Sequence, residues 1–465
     1  AYVLSACDLR VALLERNPDV AMGTSGKNSA VAHAGFNNKP GSLMARLCVA
    51  GNKRFEGICK TLGVPYKKTG KLVIGFNDED MGIVDRIIAD GALNGSVGLR
   101  RVDRGEMDGL EPGIGGVGAV FSSNTAVFDP FLYTIRLCEA AMRNGVSFFM
   151  DTELSAVRRE GGGFILQTGK GDYRCGILVN SAGLYADRVS AMAGDDSFTI
   201  YPCRGEYFVL DTAAAELISR PVYPVPRKGV GGLGVHLTTT VDGNVLIGPS
   251  AEYIEDREDY ATSREMMETL FQEAKALLPA LERDMIIGSY TGIRPKLVPR
   301  GQANYGDFVI RESSRVENLV NLIGIESPGL TASVPIAEMV AEIIGRKRSL
   351  GINPAYRAEY PGVRPFAELD REIQGALIAE NPDYGEVVCR CKTVTRAEVL
   401  QALRNPLGVR TMAGVKNRLH TTMGRCQGGY CFAKIANIIM EEFKIPPEDV
   451  VYRYRGDSPF PGVVK

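Results

Sequence analysis

Tryptophan is absent from the 465 residues, and histidine occurs only as His33, His236 and His420. Any chemistry that needs an imidazole must therefore fall on one of three side chains. Strong net charge is also lacking: the formal value is −1, which gives no bulk attraction to nucleic acid or to an anionic membrane. No apolar run approaches the roughly 20 residues of a spanning helix, which leaves peripheral association as the membrane contact still open. Ten cysteines in a chain this long are too sparse for a disulfide scaffold. No signal peptide is visible, and the reading is cytoplasmic. The opening Ala1-Tyr2-Val3-Leu4-Ser5 has the character of a helix end and predicts a segment before it.

What the chain does have is length and apolar content: 45% hydrophobic residues and 53 glycines describe a globular protein with many tight turns and two or three domains. Leu9 to Glu15 reads as a parallel strand buried on both faces and ending in an acid. Ser42 precedes an amphipathic stretch stopped by Gly63, and Asp129-Pro130 opens a helix that Asn144-Gly145 closes. Val146 to Asn180 reads as a meander of antiparallel strands broken at Gly161-Gly162-Gly163 and Lys170-Gly171-Asp172, with Gly176 to Asn180 as a buried strand. More strands follow from Tyr201 to Gly248, with Val241-Asp242-Gly243 as a hairpin turn, and Arg257 to Leu281 reads as one long charged helix. Leu319 to Gly324 returns to a buried strand that feeds a small-residue helix through Ile344. Several prolines and weak periodicity between 351 and 385 mark a linker.

Glu15 stands where a dinucleotide fold places the acid that bonds the adenosine ribose. Small residues crowd after it from Gly23 to Gly35, around a single His33, and such a run lets backbone approach a planar ligand closely. That run closely resembles the loop after the second strand in the D-amino-acid-oxidase superfamily of FAD enzymes, and within it the L-2-hydroxyglutarate dehydrogenase group. The resemblance continues through Pro40-Gly41-Ser42-Leu43, Ala50-Gly51-Asn52, Arg204-Gly205-Glu206-Tyr207-Phe208, Gly234-Val235-His236-Leu237-Thr238, Gly292-Ile293-Arg294-Pro295 and Ser327-Pro328-Gly329-Leu330-Thr331. It spans roughly Leu4 to Gly345 in the expected order.

The resemblance implies a Rossmann-like FAD domain (1–45, 146–200 and 285–350) with an inserted antiparallel-sheet substrate domain (46–145 and 201–284), an α/β and α+β architecture. It implies flavin contacts from Glu15, Arg16, Thr24, Ser25, Asn28, Ser29, His33, Ala182, Gly183, Gly292, Gly329, Leu330 and Thr331. The family's first strand and GxGxxG turn, whose amides receive the pyrophosphate, precede the point at which this sequence starts. Neither Gly113-x-Gly115-Gly116 nor Gly231-Gly232 follows a first strand and opens a helix, so neither replaces that turn, and the chain as given is expected to hold FAD poorly.

Oxidising an alcohol carbon needs a base for the hydroxyl proton while hydride goes to the flavin. His236 is the expected base, with His33 beside the flavin. Arg294 falls where the superfamily grips a substrate carboxylate, which a planar guanidinium binds at two points. Arg204, with Tyr207 and Tyr223, is a candidate for a second acidic group, and Lys296 is a weaker one. The expected substrate is a small 2-hydroxy acid such as L-2-hydroxyglutarate. The alternatives are glycerol 3-phosphate and, from another class, a non-catalytic electron-transfer subunit.

The last region, 386–465, is different in kind. Cys389-Arg-Cys391 and Cys426-Gln-Gly-Gly-Tyr-Cys431 supply four thiolates, enough for a [2Fe-2S] cluster or a zinc ion. The C-x-C and C-x4-C spacing, Met423-Gly424-Arg425 and a capped helix from Thr395 with Glu398 resemble the bacterioferritin-associated-ferredoxin-like domain, which implies a small α-rich unit holding [2Fe-2S]. The same domain is appended to anaerobic glycerol-3-phosphate dehydrogenases. Eight Lys or Arg against one acid between Arg390 and Arg425 suggest a face for an acidic electron-acceptor protein, such as a second flavoprotein subunit.

Overall fold

The computed structural model describes every residue except 227–233, 303, 304, 361, 363, 461 and 463–465. Gly231-Gly232, two positions of the expected linker and part of the C-terminal tail therefore lie outside the described residues. Among the described residues no helix is long and apolar enough to cross a membrane.

Two parallel pairs form the first layer, the one expected to carry the flavin. Ala12–Leu14 pairs with Ser147–Phe149, and Leu178–Asn180 with Leu319–Ile323, which also pairs antiparallel with Val309–Glu312. Ala12–Leu14 pairs on one side alone and is half-exposed, not buried on both faces as its composition suggests. The helix Leu43–Leu62 starts at the Ser42 hydroxyl and stops at left-handed Gly63, as the sequence signals require. It packs on Gly329–Gly345, and Gly51 is the reason the two backbones touch: a Cβ there would lie 2.0 Å from the Thr331 carbonyl oxygen. Met44, Leu47, Ile310, Val320, Ile336 and Val340 fill the space beneath. The antiparallel meander is Leu154–Glu160, Gly163–Thr168 and Gly171–Cys175.

The second layer is a nine-stranded sheet. Its order runs Glu252–Tyr253, Tyr201–Leu210, Val245–Gly248, His236–Thr239, Val222–Pro224, Lys71–Gly75, Gly118–Ser122, Leu99–Asp103, with Ile286–Lys296 paired to Tyr201–Leu210. The last pairing places residues 286–296 in this sheet, where the sequence reading had put them with the flavin unit. The helix expected over 257–281 is shorter: Ser263 caps Arg264–Leu277, and Arg257 instead pairs with Asp187 at 2.6 Å.

Strand alternation decides what each face carries. Leu72, Ile74, Leu210, Val222, Leu237, Val245 and Ile247 meet Leu270, Phe271, Ala274 and Leu277 of that helix, each fully buried aliphatic side chain contributing roughly 1.5–3 kcal/mol. Their strand neighbours Lys71, Tyr223, His236 and Thr238 must then share the opposite face.

The linker region is not featureless, since Arg371–Glu380 is helical and Phe366 is buried. Beyond it, the hairpin Val387–Cys389 with Val394–Thr395 and the helices Arg396–Leu403, Met412–Leu419 and Phe432–Phe443 enclose a core of Val388, Val399, Val415, Ile435 and Ile439. Thr395 and Glu398 form the capping box their spacing predicts. This unit docks on the rest of the chain. Arg418 meets Asp19 at 2.6 Å, both buried, His420 sits between Asp129 and Asp242 at 2.8 and 2.9 Å, and Leu407 and Val409 pack with Val20 and Ile135. Several basic residues of 390–425 meet the chain's own acids and rings, Lys392 with Asp242, Arg396 with Glu441, Arg404 with Glu442 and Arg390 over Tyr430, while Arg390, Arg404, Arg410 and Arg425 remain exposed.

Candidate active site and cluster site

The polar face of the large sheet gathers His236, Tyr223, Tyr207 and Arg294 opposite the loop that carries His33. His236 Nδ1 lies 2.9 Å from the Gly234 carbonyl oxygen. A carbonyl only accepts, so Nδ1 carries the hydrogen and Nε2 keeps its lone pair. The ring stacks on Tyr223 with centroids 3.7 Å apart at 13°. Burial first, then the charges of Lys71 and Arg294, outweigh the Gly234 bond and lower its pKa to about 3, so the imidazole is neutral. His33 Nε2 is 3.2 Å from the Ser327 hydroxyl, and its backbone N–H donates to Thr331 Oγ1 at 3.1 Å. Burial, Lys71 and His236 keep it neutral as well.

Arg294 projects from Ile286–Lys296. Its guanidinium donates to the carbonyl oxygens of Ser250 and Arg204 and faces Tyr207, Tyr305 and Glu326. The register pairs Arg294 with Cys203 and Tyr290 with Tyr207, and the last two rings stack at 4.6 Å and 5°. The 23–29 loop is stitched onto this strand: Thr24 Oγ1 donates to Ile293 O, Tyr290 Oη donates to Asn28 O, and Asn28 Nδ2 donates to Ser25 O. Gly292 admits the loop, since a Cβ there would lie 2.0 Å from the Lys27 carbonyl oxygen. Ser29 lies beside Tyr207.

Arg204 stands apart from this group. Its register partner is Ile293, which puts it on the other face of the sheet, and Asp259 at 2.7 Å and Glu252 at 2.6 Å occupy its guanidinium. Lys296 is fully buried and paired with Glu326 at 3.0 Å.

Glu15 closes the first parallel strand, one carboxylate oxygen accepting from Asn17 N and Nδ2 at 2.9 and 2.8 Å, and burial raises its pKa. Arg16 pairs with Glu258 and covers the Tyr185 ring. Ala182 is exposed, and Gly183 has a φ of +56° with open space where a Cβ would be. Gly329, Leu330 and Thr331 form the first turn of Gly329–Gly345, whose amino end favours negative charge. The buried hydroxyls of Tyr223 and Thr238 face each other without a hydrogen bond of full geometry. These features fit parts of a flavin dinucleotide: a carboxylate of the kind that bonds a ribose, small residues where the chain must pass close, and a helix amino end beside His33 and Ser327.

The four C-terminal cysteines fall into two pairs. Cys391 and Cys426 are exposed with sulfurs 3.7 Å apart, while Cys389 and Cys431 are buried in the domain core. Cys389 and burial together raise the Cys431 thiol to about 11, burial being the larger cause. Backbone amides of Tyr430 and Gly428 aim at the Cys426 sulfur and lower its pKa. Among the described residues no group of three or more His, Cys, Asp or Glu is arranged to hold a single metal ion; a binuclear cluster takes its thiolates two to an iron. The strand Ile286–Lys296 spans the gap between the two sites. A Cβ on Gly288 would lie 3.2 Å from Gln427 Oε1, and Arg294 is about 20 Å of extended chain further on.

A redox-active flavin site joined to a thiolate cluster site defines a flavin-dependent oxidoreductase. The chain belongs to the FAD dependent oxidoreductase (DAO) family, whose model matches residues 1–343, and it carries a BFD-like [2Fe-2S] binding domain over 387–441. FAD and [2Fe-2S] are accordingly its cofactors, in place of zinc at the cysteines. A glycerol 3-phosphate dehydrogenase of Caloramator mitchellensis is 32% identical over 472 residues, covering 100% of this chain and 96% of that protein. An L-2-hydroxyglutarate dehydrogenase of Indibacter alkaliphilus is 30% identical, over 72% of this chain and 92% of its own. Among solved structures, the FAD-bound, dithionite-reduced L-alpha-glycerophosphate oxidase from Mycoplasma pneumoniae superposes with a TM-score of 0.72 at 27% identity, over 77% of this chain and 94% of that one.

Sequence reasoning missed Lys71, which reaches the same face. Its signal was a lysine at the head of the apolar run Leu72-Val73-Ile74, where alternation sets it beside Val73, away from the helix-packed side.

Proposed function

We propose that this chain oxidises the secondary alcohol of glycerol 3-phosphate to the ketone and passes the electrons through its cluster to an acceptor protein. The carrying observation is the 2.9 Å contact of His236 Nδ1 with the Gly234 carbonyl oxygen: since a carbonyl only accepts, Nδ1 carries the hydrogen and Nε2 is left to take the hydroxyl proton. Arg294 holds the substrate's anionic group and so fixes the reacting carbon, beside the stacked rings of Tyr207 and Tyr290. Bound FAD supplies the hydride acceptor and [2Fe-2S] a one-electron relay. The phosphate ester is favoured over the 2-hydroxy acid expected from sequence because a relative that matches this chain over its whole length, flavin and cluster parts alike, is named a glycerol 3-phosphate dehydrogenase.

L-2-hydroxyglutarate is the second reading, supported by relatives of that name in Indibacter alkaliphilus and, at 31% identity, Arabidopsis thaliana. A panel of both alcohols with an artificial dye acceptor separates them. Glycerol 3-phosphate should give the higher kcat/KM; preference for L-2-hydroxyglutarate would transfer the assignment to the diacid.

A further inference from the structure

Lys71 is 1% exposed, and lysine is almost never so buried without a partner. No carboxylate lies within ion-pair distance of it among the described residues. Its ammonium lies 4.6 Å from the Phe36 ring centroid and 4.2 Å from that of Tyr223, the ring that stacks on His236. Aromatic faces attract a cation, but they leave its hydrogen-bond donors unused. On the same face of the sheet, the buried Tyr223 hydroxyl faces the Thr238 and Ser29 hydroxyls without closing a hydrogen bond of full geometry to either. Donors of this kind, desolvated together beside the proposed base, describe a place for an oxyanion.

Charge counting points the same way. Both candidate substrates carry about two negative charges near neutral pH, and Arg294 provides one cation. Arg204 is held by two acids on the opposite face of the sheet. Lys296 is matched by Glu326.

We propose that Lys71, with the Tyr223 hydroxyl, forms an oxyanion subsite that grips the substrate: the phosphate of a phosphate ester, or the carboxylate of a diacid that Arg294 does not hold. The assignment rests on the reading that the alcohol is oxidised beside His236. Burial has lowered the Lys71 pKa to about 7, so an arriving oxyanion stabilises the charged form of a side chain otherwise poised between its two states.

The test is Lys71→Met, which keeps the volume and removes the charge, with Lys71→Arg as the conservative partner. In flavin-loaded protein, inorganic phosphate and glutarate are titrated separately while the flavin absorbance difference is followed, alongside KM and kcat for both alcohols. Loss of a hydrogen bond to a charged group predicts binding weaker by about tenfold to a hundredfold in Lys71→Met, with KM rising more than kcat falls and largely rescued by Lys71→Arg. A phosphate effect identifies a phosphate-ester subsite, and an effect on glutarate alone identifies the diacid. Unchanged affinity for both anions in flavin-loaded Lys71→Met overturns the proposal. If that variant fails to load flavin, Lys71→Gln is judged by the same criterion. The titrations need no turnover, so a wild type that oxidises neither alcohol defeats the functional reading while leaving the subsite to be decided by anion binding.

Discussion

At His236, chemistry depends on which nitrogen is free. The ring is already neutral because burial and two nearby cations oppose its protonation, with a pKa of about 3. It therefore needs no deprotonation before it acts, and kcat/KM should show no acid limb from this residue down to about pH 5. His236→Ala should slow flavin reduction about 10²- to 10⁴-fold, the usual range for a general base, while substrate affinity stays close to wild type. Stopped-flow absorbance measures both; wild-type reduction rates would pass the role to His33. Arg294→Lys should raise KM and slow reduction together, because an ammonium cannot reproduce a two-point grip, and the same traces report it. These residue types were legible in the sequence, since motif order marks them. The place of Arg204 was not. Whether a strand residue faces the cleft or the helix depends on register, and here register puts Arg204 beside Ile293 and among acids.

Elements were legible wherever the chain marks its own ends. Ser42 and Gly63, Asp129 and Asn144, and Thr395 with Glu398 bound helices where expected, because a cap satisfies free backbone groups locally. The helix over 257–281 was overextended because charge periodicity continues past Ser263, whereas Arg257 is drawn off by Asp187. The strand Ile286–Lys296 belongs to the large sheet through a long pairing that no local pattern announces. Close backbone approach is similarly silent until two elements are seen together. Gly51→Ala forces a Cβ to within 2.0 Å of the Thr331 oxygen, so the helices must part, at a cost of about 1–3 kcal/mol. Denaturant unfolding should show that loss of stability. Because Thr331 Oγ1 also accepts the His33 amide, flavin content should fall with it.

The whole molecule is a flavoprotein with its iron-sulfur unit clamped on by buried ions. Burial opposes protonation of His420, but Asp129 and Asp242 outweigh it and raise its pKa to about 10 from 6.5. A group with a raised folded pKa favours the proton-bound folded form. Its contribution is complete below about pH 6.5 and is lost as pH rises through about 10. Proteolysis within 351–385, followed as a function of pH, should therefore accelerate toward pH 10, and His420→Gln should flatten that profile. A profile unchanged by the substitution would remove His420 from the clamp.

Under the proposed function, this docking, with one strand running from Gly288 under the cluster loop to Arg294, would couple alcohol oxidation to one-electron exit. The most direct test is anaerobic mixing of the protein, loaded with flavin and cluster, with glycerol 3-phosphate while flavin absorbance and the electron paramagnetic resonance of the cluster are followed. The account predicts bleaching of the flavin followed by the signal of a reduced [2Fe-2S] centre. In Cys426→Ser with Cys431→Ser, the bleaching should persist and the signal should be absent. A flavin that stays oxidised with both glycerol 3-phosphate and L-2-hydroxyglutarate, or a cluster that stays oxidised after the flavin has bleached, would contradict it.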